Sequence, residues 1–325
     1  MALGSTRTAV VTGGAGFIGS HLSLELANRG YRVIIVDNLS SGRQQNVDRL
    51  LEEGNATFLR GDICDFPFIE HAFEGADYVF HHAAIASVPD SVQHPLTSHE
   101  VNATGTLKVL LAAKKAGVKK VVNASSSAIY GNAPVLPIGE GTRPDPKSPY
   151  AVTKLMGEQY CSIFQEIYGL PTASLRYFNV YGPGQQVNSS YAAVIPNFIE
   201  ASIEGRVPVI FGNGLQTRDF VFVKDVVSAN VAAMEGDITG VLNVGMGTAV
   251  TVLELARAIS ALTGSGADPK HEKTRDGDIV HSVSDIQRAK AAGWQPRWDL
   301  RSGLAETIGW FREKAISPAT PSRTG

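Results

Sequence analysis

The sequence predicts an α/β fold in which a doubly wound parallel sheet carries a smaller, mixed α/β domain. Three observations point there: short apolar runs alternate with longer stretches of helical spacing, each run ends in a turn signal, and the texture changes after residue 181. The runs at residues 8–12, 31–37, 56–59, 78–82, 120–124 and 172–177 are rich in Val, Ile, Phe and Tyr, as strands buried on both faces require. Between the first two, Ile18, Leu22 and Leu26 recur at helical spacing within residues 17–29, and Gly30 supplies a stop. Further helices fit residues 97–116 and 150–168, the second opened by Ser148-Pro149. Beyond Tyr181, Gly182-Pro183-Gly184-Gln185-Gln186 and Asn188-Ser189-Ser190 form an irregular connection. Residues 1–181 are therefore expected to form the first domain and 182–316 mainly the second, with a segment near 213–245 returning to the first. Helices are expected at 192–204 and 226–234, strands at 207–211 and 220–223, and Thr251-x-x-Glu254 is a capping box opening a helix over 252–262. Trp294, Trp298 and Trp310 suit packing of the smaller domain, and residues 317–325 are expected to be disordered.

With 325 residues, 43% of them apolar and 18% charged, the chain can bury a sizeable core. Its 29 basic and 31 acidic side chains nearly cancel, so no global field marks it for nucleic acid or membrane, and an anionic ligand must be held by local contacts. Cys64 and Cys161 lie far apart and lack metal-ligand spacing, which excludes a disulfide scaffold and suggests a reducing compartment. No apolar run approaches the roughly 18 residues needed to cross a bilayer, and the start MALGSTRTAVVTGG has no signal-peptide pattern. The expectation is a soluble cytoplasmic protein without a metal, His81 and His82 packing around a cofactor rather than binding an ion.

Directly after the first strand, Thr12-Gly13-Gly14-Ala15-Gly16-Phe17-Ile18-Gly19 places Gly13, Gly16 and Gly19 at G-x-x-G-x-x-G spacing. Lacking Cβ atoms, they allow a tight turn, close approach of a pyrophosphate and close packing of helix on sheet, while the helix N-terminus offers N–H donors. Asp37, at the end of the second strand, can accept hydrogen bonds from ribose hydroxyls, and its charge opposes a 2′-phosphate. The pattern is that of a Rossmann dinucleotide site and favours NAD over NADP.

Tyr150 and Lys154 stand four residues apart on a predicted helix, so they share a face. A neighbouring ammonium and a positively charged nicotinamide ring both favour a phenolate, which makes Tyr150 a proton acceptor beside a hydride acceptor. Upstream, Ser125-Ser126-Ser127 closes a strand and offers a hydroxyl to the reacting oxygen.

These segments resemble the extended short-chain dehydrogenase/reductase family, most closely its UDP-sugar 4-epimerases. The resemblance spans about residues 6–312 and rests on TGGAGFIGSH (12–21), VDN (36–38), GDICD (61–65), HHAA (81–84), SSSAIYG (125–131), SPYAVTK (148–154), RYFNVYGP (176–183) and RDF (218–220). It implies that Gly13, Gly16, Phe17, Ile18, Gly19, Asp37 and Asn38 hold NAD, that Asp62 and Ile63 lie at the adenine ring, and that Ala83, Ala84 and Asn102 line the cofactor. Ser126, Tyr150 and Lys154 take the catalytic positions, and Phe178 the position that contacts nicotinamide. Asn179 matches a residue at the UDP diphosphate, Arg218 and Arg275 match arginines that neutralise its phosphates, Phe211 one at the uracil, and Asp278 one at its ribose. The implied reaction is redox-neutral, passing through a 4-keto sugar that turns over in the pocket.

One fold serves several chemistries. Dehydratases of this family carry an Asp-Glu pair where this chain has Ser127 and Ala128, so water loss is not expected. A uronic acid would call for an arginine, and residues 185–194 contain none, which disfavours UDP-glucuronate. Ser282, four residues after Asp278, matches the position that limits the C2 substituent; with Val194 and the segment 190–196 it resembles epimerases that accept UDP-N-acetylglucosamine. The resemblance therefore implies interconversion of UDP-GlcNAc with UDP-GalNAc and of UDP-glucose with UDP-galactose. A UDP-glucuronate 4-epimerase, a net reductase of keto sugars and a non-catalytic dinucleotide-binding protein are the competing readings. The helices at 97–116 and 150–168 carry apolar residues on more than one face, consistent with a homodimer as in related proteins.

Overall fold

A computed structural model describes residues 6–187, 193–274 and 280–316. In chain order the first body contains β1 (Thr8–Thr12), α1 (Phe17–Asn28), β2 (Arg32–Asp37), α2 (Gln44–Glu52), β3 (Ala56–Arg60), α3 (Phe66–Ala72), β4 (Tyr78–His81), α4 (Val88–Gln93), α5 (Pro95–His99), α6 (Gly105–Ala116), β5 (Lys120–Ser126), α7 (Pro149–Tyr168) and β6 (Thr172–Tyr177). There follow β7 (Asn179–Tyr181), α8 (Val194–Ile203), β8 (Val209–Phe211), β9 (Thr217–Arg218), β10 (Phe220–Phe222), α9 (Val223–Glu235), β11 (Gly240–Val244), β12 (Val250–Thr251), α10 (Val252–Thr263), β13 (Lys270–Glu272), α11 (Gln287–Ala291) and α12 (Leu300–Ile316).

Seven strands form one parallel sheet in the order β11-β6-β5-β4-β1-β2-β3. The chain leaves β1 toward one edge and restarts at β4 toward the other, so a crevice opens at the carboxyl ends of β1 and β4. Alternation along each strand feeds two cores. Ala9, Val11, Ile35 and Val122 face α1 and α9, whereas Val10, Ile34, Val36 and Val121 face α3, α6 and α7. A third apolar core joins α8, α10 and α12 to β10 around Phe198, Phe222, Leu255 and Ile308, and Phe17 and Ile18 of α1 pack against it.

Several boundaries differ from expectation for local reasons. The helix read as 97–116 is interrupted by a π-turn at Glu100–Thr104, where the Asn102 side chain is drawn into tertiary hydrogen bonds. The helix expected from 226 starts at Val223, taking the last residue of the predicted strand. Trp294 does not serve the smaller body: it is buried in the core under α9 and donates its indole N–H to Ser228 Oγ at 2.8 Å. The capping box at Thr251 and Glu254 is formed in both directions. Residues 317–325 lie outside the described residues. Among those described, no helix is long and apolar enough to cross a membrane, and no cluster of His, Cys, Asp and Glu is placed to hold a metal.

Candidate active site

The turn after β1 is built to leave room. Gly13 adopts φ 70°, and a Cβ there would lie 2.6 Å from the Ala83 nitrogen, across the crevice at the end of β4. A Cβ on Gly19 would strike the Gly13 carbonyl oxygen. Helix α1 begins at Gly16 with no side-chain cap and no acidic residue in its first turn, so its N–H groups and dipole face the crevice uncompensated. This glycine cradle fits a pyrophosphate. The Phe17 ring turns the other way, edge-on to His21 at 6.0 Å, so only the backbone of Phe17 faces the turn.

Asp37 closes the far side. Its carboxylate accepts from the Ala15 N–H at 3.0 Å and the Leu39 N–H at 2.8 Å. Burial raises its pKa while these two bonds oppose the rise. Leu39 is held at φ 62°, a left-handed geometry costing about 1–2 kcal/mol for such a residue, and its bond to Asp37 helps to keep it there. Asn38 donates to Asp62 Oδ2 at 3.0 Å, and Cys64 N–H donates to Asp62 Oδ1 at 2.8 Å. Burial pushes Asp62 upward, but these bonds outweigh it and leave its pKa lowered. Ile63 is buried beside Gly105, where a Cβ would meet its Cδ1 at 2.7 Å.

Asn102 lies behind the loop that follows β4. Its amide accepts from Ile85 N–H at 2.8 Å and donates to Ile85 O at 3.0 Å and to Thr153 Oγ1 at 3.2 Å. Its polar atoms thus tie the loop carrying Ala83 and Ala84 to α7, between Tyr150 and Lys154. His81 is buried between Thr12 and Thr106, with ring nitrogens 2.8 and 2.9 Å from their hydroxyls. Burial lowers its pKa to about 3, and it stays neutral. His82 is likewise lowered to about 3 by burial, with Nε2 at 3.1 Å from the Tyr177 hydroxyl.

Helix α7 delivers Tyr150 and Lys154. Ser148 caps it by accepting from Ala151 N–H, Pro149 occupies its first turn, and Ser91 of α4 accepts from Tyr150 N–H at 3.1 Å. Lys154 Nζ donates to Ala124 O at 2.8 Å and lies 5.9 Å from the Tyr150 ring centre. Burial brings the Lys154 pKa down to about 8, so the ammonium persists at pH 7. Burial raises the Tyr150 phenol, and the hydrogen bond with Ser126 offsets part of that rise. The net direction is upward, toward the neutral phenol.

Phe178 is buried against Tyr130, ring centres 6.4 Å apart, and its N–H donates to Val244 O. Three expected substrate residues converge nearby. Asn179 N–H donates to Asp219 O at 2.9 Å, Arg218 pairs with Val250 across β9 and β12, and Ser282 N–H donates to Thr217 O at 3.2 Å. Val194 opens α8. Phe211 lines an open groove of about 610 Å³ with Leu215, Gln216, Thr274, Val280 and His281. Arg275 and Asp278 lie outside the described residues.

Sequence reasoning missed two buried acids. Asp219 accepts from Met246 and Gly247 N–H and from both Ser284 N–H and its hydroxyl, gathering the segments at 246–247 and 284 beside Arg218. Glu158, one turn beyond Lys154, binds Arg176 through both oxygens at 2.8 and 2.6 Å. An acid in the RDF segment and one following SPYAVTK at helical spacing were the available signals.

The chain resembles known proteins over nearly its whole length. Residues 9–245 match the NAD dependent epimerase/dehydratase family. A UDP-glucose 4-epimerase of Mycolicibacterium smegmatis is 40% identical over 311 residues, covering 94% of this chain and 99% of the relative. A UDP-N-acetylglucosamine 4-epimerase from Methanobrevibacter ruminantium M1, solved in complex with UDP-N-acetylmuramic acid, superposes with a TM-score of 0.92 at 43% identity, covering 95% of this chain and 99% of that one. A UDP-glucose 4-epimerase of Thermotoga maritima, solved with UDP-glucose, gives 0.91 at 41% identity, covering 95% and 100%. With a glycine cradle at the switch point and this extent of likeness, the chain belongs to the NAD dependent epimerase/dehydratase family.

Proposed function

We propose that the protein is an NAD-dependent 4-epimerase of UDP-sugars, interconverting UDP-GlcNAc with UDP-GalNAc and UDP-glucose with UDP-galactose. The observation that carries this reading is the meeting of Tyr150, Ser126 and Lys154 at the end of β5, beside the crevice that the glycine cradle and Asp37 prepare for a dinucleotide. NAD, when bound, supplies a positively charged ring that accepts the C4 hydride and later returns it. Tyr150 takes the proton from the sugar 4-hydroxyl and gives it back after the 4-keto sugar has turned over. Ser126 orients that hydroxyl, and the Lys154 ammonium favours the phenolate once the cleft is filled. Residues 1–181 with the later segment near 213–245 would hold the cofactor, and 182–316 mainly the nucleotide sugar.

Asn179, Arg218, Arg275, Phe211 and Asp278 would grip the UDP half while the pyranose reorients. Ser282, small and buried beside Thr217 and Arg218, supports a preference for the acetylated sugar. We further assign a homodimer: Leu111 on α6 and Val152, Ile163 and Ile167 on α7 leave apolar surface exposed on a helix pair that a second copy would cover. Two free thiols, Cys64 and Cys161, suit the reducing cytoplasm.

The deciding experiment incubates the purified protein separately with UDP-glucose and UDP-N-acetylglucosamine and follows C4 by NMR. Interconversion without added cofactor and without mass change is expected. Tyr150→Phe should lower turnover by about 10²–10⁴-fold while NAD stays bound; full activity in that variant would remove Tyr150 from the mechanism.

A further inference from the structure

The end of β5 is held at three consecutive residues by three successive turns of α7. Tyr150 bonds Ser126, Lys154 bonds the Ala124 carbonyl at 2.8 Å, and Glu158 Oε1 accepts from Ser125 Oγ at 2.5 Å. Tyr150 and Lys154 have a part in the proposed reaction, but Glu158 does not reach the crevice. It is 3% exposed and spends its other contacts on Arg176, the cross-strand partner of Ser125. Cross-strand partners point to the same face, so one carboxylate bridges the neighbouring strands β5 and β6 at the residue before Ser126.

Arg176 extends the grip to the other side of Ser126. Its Nη1 donates at 2.8 Å to the hydroxyl of Tyr130, which closes the short turn Ser127–Tyr130, and at 3.3 Å to Glu140 O. The Tyr130 hydroxyl in turn donates to Asn243 Oδ1 on β11 at 2.7 Å. Ser126 therefore sits between two fixed points, Ser125 before it and Tyr130 after it, both referred to one ion pair. For stability alone such an arrangement is a poor choice. A buried ion pair gains little over apolar residues of the same volume, because both charges must be desolvated. What it adds is direction: a bidentate fork admits one geometry.

We infer that Glu158 is a positioning residue for the proposed acid–base set, acting through Ser125 and Arg176 to fix where the Ser126 hydroxyl meets Tyr150. The inference rests on the epimerase reading, and its test separates the two. Ser125→Ala leaves the Glu158–Arg176 pair intact and removes one hydrogen bond. It should lower kcat about tenfold, the scale of a small misplacement at a reacting centre, with KM for the UDP-sugar and bound NAD unchanged. Ser125→Thr, which keeps the hydroxyl, should recover most of that loss. Glu158→Gln should cost more than Ser125→Ala; should Glu158→Gln fail to fold, the Ser125 pair of variants still decides. A Ser125→Ala protein that melts earlier but keeps the parental kcat would make the contact purely structural and overturn the inference, while an inactive Tyr150→Phe left the epimerase reading standing. An active Tyr150→Phe would instead bring down the reading beneath it.

Discussion

The two bodies of the molecule reach precision by different means. In the sheet body, residues at the crevice leave the ends of strands paired over four to six positions, such as β1 with β2 and β5 with β6, and helices clamp them from both faces. Outside that sheet, Asn179, Phe211 and Arg218, three of the residues expected at the nucleotide sugar, stand on three ribbons of two strands each, two or three residues long. No long ladder sets their register. Beside Asn179 and Arg218, the buried Asp219 carboxylate draws four donors from the segments at 246, 247 and 284. A site on the first plan tolerates little change, because each position is fixed by many neighbours. One on the second can vary its loops as long as the central acid stays bonded.

The largest effect expected from this contrast is at the glycine turn. Gly19→Val puts side-chain atoms into the Gly13 carbonyl, between strand and helix, where nothing can give. Bound NAD, measured after acid release, should fall to trace levels, and turnover by about a hundredfold or more. Retention of both would mean that the cradle is looser than its backbone contacts require. Ser282→Tyr, on the flexible plan, should do something narrower. Turnover of UDP-N-acetylglucosamine should drop roughly tenfold or more through steric exclusion, while UDP-glucose is spared and NAD stays bound. Equal losses on both sugars would contradict a size gate.

The smallest effect concerns pH. His81 and His82, in the sheet body, are held neutral by burial, with pKa values near 3 against 6.5 for an exposed imidazole. Between those values the unfolded chain binds protons that the folded one refuses, so stability is full above pH 6.5 and falls as the pH drops toward 3. Unfolding at pH 5.5 should take up about two protons from these histidines beyond the carboxylate contribution, readable by calorimetry in buffers of different ionisation enthalpy. His81→Asn should reduce that uptake by about one. An unchanged uptake would show that His81 is protonated in the fold.

The sheet body was legible because its signals are local. Apolar runs fix β1 to β6, glycines that must be glycines fix the turn, and Ser148-Pro149 marks the start of α7. What escaped the sequence is mostly polar and long-range. Nothing near Asn102 announces that its amide will bond Ile85 and Thr153 and open the helix into a π-turn. Glu158 reads as an ordinary surface acid until β6 brings Arg176 beneath it, and Asp219 looks like a turn residue until residues 246 and 284 arrive. Trp294 reads from its place in the chain as part of the smaller body, whereas its indole donates to Ser228 under α9. Phe211, Arg218 and Ser282 are candidates through motif likeness alone, since segments of two or three residues carry no periodicity to read.

The seventh strand has a consequence for how the chain is made. β11 completes the sheet beside β6, yet it is synthesised only after β7 to β10 and α9. Until residue 240 has left the ribosome, β6 presents a row of unpaired backbone groups to any neighbour able to add a strand. The Phe178 amide meanwhile waits for the Val244 carbonyl, and the Tyr130 hydroxyl for Asn243. Nascent chains thus pass through a stage in which β6 is the sheet's temporary edge opposite β3, a place that β11 takes over in the finished fold.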